Sequence, residues 1–132
     1  MVIFDSNVII DIATQDPNWW QWALSARDSA DLLGGAAIND VVFAEICYRY
    51  ETIEEVEELM EILDLPIVEM PAAALFLASR AFKQYRANGG ARTTMLPDFF
   101  VGAQALVLGA KVATRDPKPY RTYFPTLELI TP

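Results

Sequence analysis

Residues 2–11, V-I-F-D-S-N-V-I-I-D, decide how the rest of the chain is read. Val2, Ile3 and Phe4 form a short apolar run that predicts a buried strand. Asp5 ends that run, and residues 7–13 predict a helical turn or two. A carboxylate at the tip of a buried strand needs a reason. Working outward from it, short apolar runs and helical spacing alternate along the whole chain.

Asp16-Pro17-Asn18 predicts a turn, Trp19 to Ser29 a helix, and Gly34-Gly35 a break. Residues 36–39 (A-A-I-N) predict a second strand, and Val41–Tyr50 a helix with Glu45 in its middle. Thr52 and Glu55 have capping-box spacing at the start of a helix that runs to Leu63. L-P-I-V (65–68) predicts a third strand, shortened by Pro66. Pro71 suits the first turn of a long helix ending near Asn88-Gly89, and residues 89–96 predict a loop. Pro97 opens a helix that Gly109 stops, K-V-A (111–113) predicts a fourth strand, and a Pro-rich loop leads to a last strand at 127–130. Strands alternating with helices predict an α/β fold with a mostly parallel sheet of about four to five strands and helices on both faces. Ligands in such folds bind at the carboxyl ends of the strands.

The chain has 132 residues, 53% of them hydrophobic and 21% charged, which fits one packed domain over residues 1–132. Its apolar runs are too short and interrupted for a bilayer span. The N-terminus reads as a strand rather than a signal peptide, and the single Cys47 cannot form an internal disulfide, so the expected compartment is the cytoplasm. The net charge of −8 is uneven. Residues 51–69 hold eight acids and no base, which reads as a solvated helix face. Residues 80–121 hold eight bases (Arg80, Lys83, Arg86, Arg92, Lys111, Arg115, Lys118 and Arg121) and only two acids, Asp98 and Asp116. Two isolated carboxylates in a basic region are more informative than the total.

Asp5 follows the first strand and Asp116 lies three residues past the fourth. Asp98 opens the preceding helix, and Glu45 lies inside the helix after the second strand. The topology brings all four to one edge of the sheet. Taken singly, each has an ordinary reading: Asp98 as a helix-start residue, Asp116 before Pro117 as a turn former, Glu45 as surface charge. Taken together they repel unless a cation intervenes, and oxygen donors favour Mg²⁺ or Mn²⁺. The chain has no histidine, which removes zinc sites built on imidazole and histidine-based acid–base routes. Metal-assisted hydrolysis by an activated water remains. A nucleic-acid backbone entering such a site needs nearby cations, for which Arg80, Lys83, Arg92, Arg115, Lys118 and Arg121 are candidates.

The segments D-S-N-V-I-I-D (5–11), F-A-E-I (43–46), L-P-D-F-F-V-G-A-Q-A (96–105) and T-R-D (114–116), with Y-R-T-Y-F-P (120–125) after them, span nearly the whole chain. In this order and spacing the sequence resembles PIN-domain ribonucleases, and closely resembles the VapC-type toxins of toxin–antitoxin pairs. The resemblance implies a three-layer α/β/α fold and Mg²⁺- or Mn²⁺-dependent RNA cleavage. It carries the acidic site onto Asp5, Glu45, Asp98 and Asp116, with Asp5 and Asp98 as direct metal ligands and Asn7 and Thr114 as supporting polar residues. It also implies an antitoxin partner whose tail blocks the site, and a homodimer.

Two other classes fit part of the pattern. A phospho-aspartyl protein, receiver-like or phosphatase, places an Asp after its first strand. However, the last strand here ends Ile130-Thr131-Pro132 without the receiver's lysine, and Asn7 stands where the phosphatase needs a second Asp. A non-catalytic module that binds RNA or an antitoxin is the other alternative, against which the intact acids argue. Trp19, Trp20 and Trp22 cannot all face inward on one helix, so at least one is expected on a surface that a partner covers. Cys47 is expected to be buried, and Asp11 and Asp40 to have surface or capping roles, with support of the acidic site from behind as the alternative.

Overall fold

The computed structural model describes all 132 residues. Strands β1 (Val2–Phe4), β2 (Ala36–Ala37), β3 (Lys111–Ala113) and β4 (Leu129–Ile130) form one parallel sheet in the order β2-β1-β3-β4. All three β1 residues are fully buried, which is why V-I-F is continuously apolar rather than alternating. Seven helices flank the sheet: α1 (Ser6–Ala13), α2 (Trp20–Ala30), α3 (Asp40–Cys47), α4 (Ile53–Ile62), α5 (Ala72–Ala87), α6 (Pro97–Leu108) and α7 (Lys118–Tyr123). No helix is long and apolar enough to cross a membrane.

The strand order positions the site. From β1 the chain moves to β2 on one side, then returns past β1 to β3 on the other. Because parallel crossovers are right-handed, reversing direction puts the connecting helices on opposite faces and opens a crevice between the carboxyl ends of β1 and β3. Asp5 follows β1 and Thr114 follows β3. Their strands pair in register, Phe4 opposite Ala113, so the two side chains are neighbours although 109 positions apart.

Most predicted elements are present, with two differences. L-P-I-V (65–68) is not a strand; only Ile67 bridges to Ile38, because Pro66 has no N–H to offer a ladder. The Pro-rich segment after β3 is not all loop but contains α7, with Pro117 as its N-cap and Pro119 in its first turn. Proline is tolerated there, since first-turn N–H groups have no intrahelical acceptor. The capping box of Thr52 and Glu55 forms as expected at the start of α4.

Helix α6 is the central packing element. Phe99 and Val101 through Ala105 are all buried. Gly102 sits against the Phe124 ring, where a Cβ would lie 2.4 Å from Phe124 Cδ2, so glycine lets the segment after α7 close onto α6. Tyr123 meets Phe99 edge-on at 5.3 Å between ring centroids. The G in the 96–105 motif and the F in Y-R-T-Y-F-P are therefore one packing contact.

Candidate active site

Asp5 is both the strand tip and the N-cap of α1. Its Oδ1 accepts from Ser6 N at 2.8 Å. Its Oδ2 accepts from the Thr114 hydroxyl at 2.9 Å and the Tyr120 hydroxyl at 2.9 Å, with Asn7 Nδ2 at 3.4 Å. The strand-end carboxylate is therefore held by short donors from three elements. Burial pushes its pKa up, the Thr114, Tyr120 and Ser6 donors pull it back, and the charge of Asp116 raises it again.

Asn7 and Thr114 extend this network to the opposite loop. Asn7 Oδ1 accepts from Arg115 N at 3.2 Å, and Thr114 Oγ1 accepts from Asp116 N at 3.1 Å. The two residues tie Asp5 to the backbone that presents Asp116.

Glu45 projects from α3, which Asn39 caps by accepting from Val42 N at 2.9 Å. Asn39 is itself fixed by Gln104 of α6, whose Oε1 accepts from Asn39 Nδ2 at 3.1 Å and whose Nε2 donates to the carbonyls of Val68 and Glu69. Both side chains are fully buried. Gln104→Leu strands the Asn39 amide and removes the donor to both carbonyls. It is expected to cost about 2–3 kcal/mol of stability in denaturant unfolding. A loss below about 0.5 kcal/mol would mean that the clip contributes nothing.

Asp98 lies in the first turn of α6, half-buried. Its pKa is pushed up to about 7, by burial first and then by the charges of Asp5, Asp116 and Glu45. It therefore senses all three of the other predicted acids. The Glu45 pKa is raised by burial and by Asp5, with the Ser6 hydroxyl opposing, and Glu45 Oε1 is buried with no hydrogen-bond partner. The molecule's salt bridges are Arg27 with Asp31 and Asp64, Lys111 with Glu128, and Arg115 with Asp11. None reaches the four site acids.

The crevice thus holds uncompensated carboxylates and one orphaned buried oxygen. Its donors are all oxygen, with no histidine in the chain. That donor set fits a hard divalent cation such as Mg²⁺ or Mn²⁺. As placed, no three acids stand close enough to form a ready coordination group, so the expected four-carboxylate cluster is one of shared field rather than of contact.

The predicted basic residues divide. Arg115 is not directed at the site acids. It grips Asp11 through two hydrogen bonds, at 2.7 and 3.1 Å, and lies over the Trp19 ring at 5.6 Å. Asp11 is accordingly buried rather than on the surface, because its α1 position faces the loop after β3. Arg80 stacks over Phe76 at 4.5 Å, while Lys83, Arg92, Lys118 and Arg121 are exposed and make no salt bridge. Asp40 is exposed in the first turn of α3. Trp19, Trp20 and Trp22 are each half-buried, Trp22 against the core, and Cys47 is half-buried rather than buried.

Sequence reasoning gave no role at the site to Tyr120 or Ser6, although Tyr120 opens the Y-R-T-Y-F-P segment and Ser6 lies in D-S-N.

A family model described as the PIN domain matches residues 2–125. No curated protein matches the chain. Among solved structures, the chain is similar to VapBC2 from Rickettsia felis bound to a DNA fragment from its promoter, with a TM-score of 0.71 and 18% identity over 99% of this chain and 98% of that one. It is similar to VapBC-1 from nontypeable Haemophilus influenzae, at a TM-score of 0.72 and 17% identity over 99% and 98%. A toxin–antitoxin complex from Klebsiella pneumoniae gives a TM-score of 0.65 and 16% identity over 99% and 97%. At these identities the likeness is one of fold.

Proposed function

The chain belongs to the PIN-domain family, and from that membership we propose that it is a VapC-type toxin, a metal-dependent endoribonuclease that hydrolyses RNA phosphodiester bonds. The observation that carries this reading is the Asp5 carboxylate at the end of β1, held by Ser6, Thr114 and Tyr120, with the other acids near enough that burial and their charges push the Asp98 carboxyl up to about 7. No salt bridge reaches any of the four. A purely structural helix-start aspartate has no reason to be placed among like charges.

In this reading Asp5, Asp98, Asp116 and Glu45 would hold one or two Mg²⁺ or Mn²⁺ ions, which supply a water of lowered pKa and neutralise charge developing on the phosphate. The chain's own residues do the rest. Asp5 is held by Ser6, Thr114 and Tyr120, so one carboxylate is fixed in direction before substrate arrives. Asn7 and Thr114 keep the Asp116 loop in register with Asp5. The orphaned Glu45 Oε1 is free to accept a proton or a donor. Arg80, Lys83, Arg92, Lys118 and Arg121 are available to RNA phosphates. Arg115 is committed to Asp11 and contributes by holding its loop.

The similar structures are VapBC assemblies and a toxin–antitoxin complex, which supports an antitoxin partner here. A largely apolar cleft between α1, α3 and α4, lined by Ile9, Ile10, Ala13, Thr14, Ile46, Arg49, Tyr50 and Leu59, would seat a partner segment. Ile10 and Arg49 also border the hollow beside Glu45, so a segment seated there would reach the acidic crevice. A homodimer and a cytoplasmic location belong to the same reading.

Inducible expression tests it. Wild type is expected to arrest growth and leave discrete new ends in cellular RNA, and Asp5→Asn to do neither. Equal arrest by Asp5→Asn at equal protein level would exclude catalysis by this crevice.

A further inference from the structure

Asp5 has fewer free lone pairs than a carboxylate ordinarily has. An ionised carboxylate has about four acceptor positions over its two oxygens. The Thr114 and Tyr120 hydroxyls, each at 2.9 Å, occupy Oδ2, and Asn7 Nδ2 stands at 3.4 Å beside them. Oδ1 accepts only from Ser6 N, at 2.8 Å. One lone pair, on Oδ1, is left.

Tyr120 is built for this contact. It is 1% exposed, and Asp5 is its hydroxyl's only hydrogen-bond partner. The helix that carries it is locked in place where Tyr123 meets Phe99 and Phe124 fills the space above Gly102. A phenylalanine would fill the same space. Filling the core therefore does not account for a hydroxyl aimed at a carboxylate 115 positions away.

We propose that Tyr120 is a positioning residue which, with Thr114, closes Oδ2 and leaves Asp5 a one-point oxygen donor through Oδ1. A one-point carboxylate suits small ions that demand octahedral coordination, whereas a carboxylate with both oxygens free also suits Ca²⁺, which accepts two-point binding. Tyr120 thereby sets which divalent ion the crevice prefers. This rests on reading the crevice as a divalent-cation site.

Calorimetric titration of the metal-free full chain with Mn²⁺, and separately with Ca²⁺, tests it without any activity assay. Tyr120→Phe removes only the hydroxyl. Its Mn²⁺ affinity is expected to fall about tenfold, the scale for residues that orient a ligand, while its Ca²⁺ affinity falls less or rises. The preference for Mn²⁺ over Ca²⁺ therefore narrows by about tenfold, and Thr114→Val, which removes the other hydroxyl on Oδ2, moves it the same way. A tyrosine that only fills space would leave both affinities alone or lower them by one common factor. An unchanged preference in a variant that still binds Mn²⁺ overturns the proposal. If wild type and Asp5→Asn both fail to bind either ion, the cation site itself is refuted, a different result from an unchanged preference.

Discussion

Asp98→Asn is expected to abolish RNA cleavage and, at the same time, make the metal-free protein harder to unfold. These two effects separate a site residue from a helix-start residue. As a helix-start residue, Asp98 would favour the α6 dipole by about 0.3–1 kcal/mol, and asparagine would forfeit that. Against it stand burial and the charges of Asp5, Asp116 and Glu45, which together push the carboxyl to about 7. An unfolded aspartate ionises near pH 4, so holding Asp98 ionised in the fold at about pH 8 costs on the order of 2 kcal/mol or more. The repulsive contribution is the larger, and its removal stabilises. Cleavage should fall by about a thousandfold, because a lost metal ligand removes several kcal/mol of charge stabilisation in the transition state. Denaturant midpoints and RNA cleavage rates of the two proteins check both halves. An asparagine variant that unfolds more easily, or that cleaves RNA at close to the wild-type rate, contradicts the assignment.

Stability of the metal-free protein should also rise as the pH falls from about 8 to about 5.5. The sign follows from the direction of the shifts. A carboxyl whose pKa is raised by folding binds its proton more tightly in the folded state. Its stabilisation is therefore complete below the unfolded value near 4 and is lost as pH rises through the folded value. For Asp98 that folded value is about 7, and Asp5 and Glu45 are shifted in the same direction. Asp98 alone gives on the order of 1–2 kcal/mol across that interval. Saturating Mn²⁺ should remove the trend by stabilising the protein most at the alkaline end, since an ion that binds only the folded state adds stability there. Thermal midpoints across pH, with and without Mn²⁺, measure this. A metal-free protein that is more stable at the alkaline end would place its carboxyls in a different environment.

The strand–helix alternation was legible in sequence because it depends on local pattern, and with it the strand ends that Asp5 and Asp116 follow. V-I-F is apolar because β1 is buried on both faces, and D-S-N reads as strand tip and helix start because Asp5 is both. Helix α7 was not legible, since Pro117 and Pro119 punctuate a loop and open a helix equally well. The 65–68 strand failed for the reverse reason: its apolar residues fit a strand, but Pro66 leaves only one bridge. The acids' partners were hidden by distance along the chain. Asp11 finds Arg115 across 104 positions and Asp5 finds Tyr120 across 115, pairings that follow from the sheet order rather than from any spacing. Asp11 read as a surface or capping group and Arg115 as a cation for the RNA backbone, yet they are one ion pair.

Purified wild-type chain and Asp5→Asn, incubated with single-stranded RNA in Mn²⁺ and in excess chelator, give the most direct test. Cleavage by wild type in Mn²⁺, and in none of the other three combinations, is the predicted result. Cleavage that survives chelation or the Asp5 substitution, or intact RNA after incubation of wild type with Mn²⁺, would contradict it.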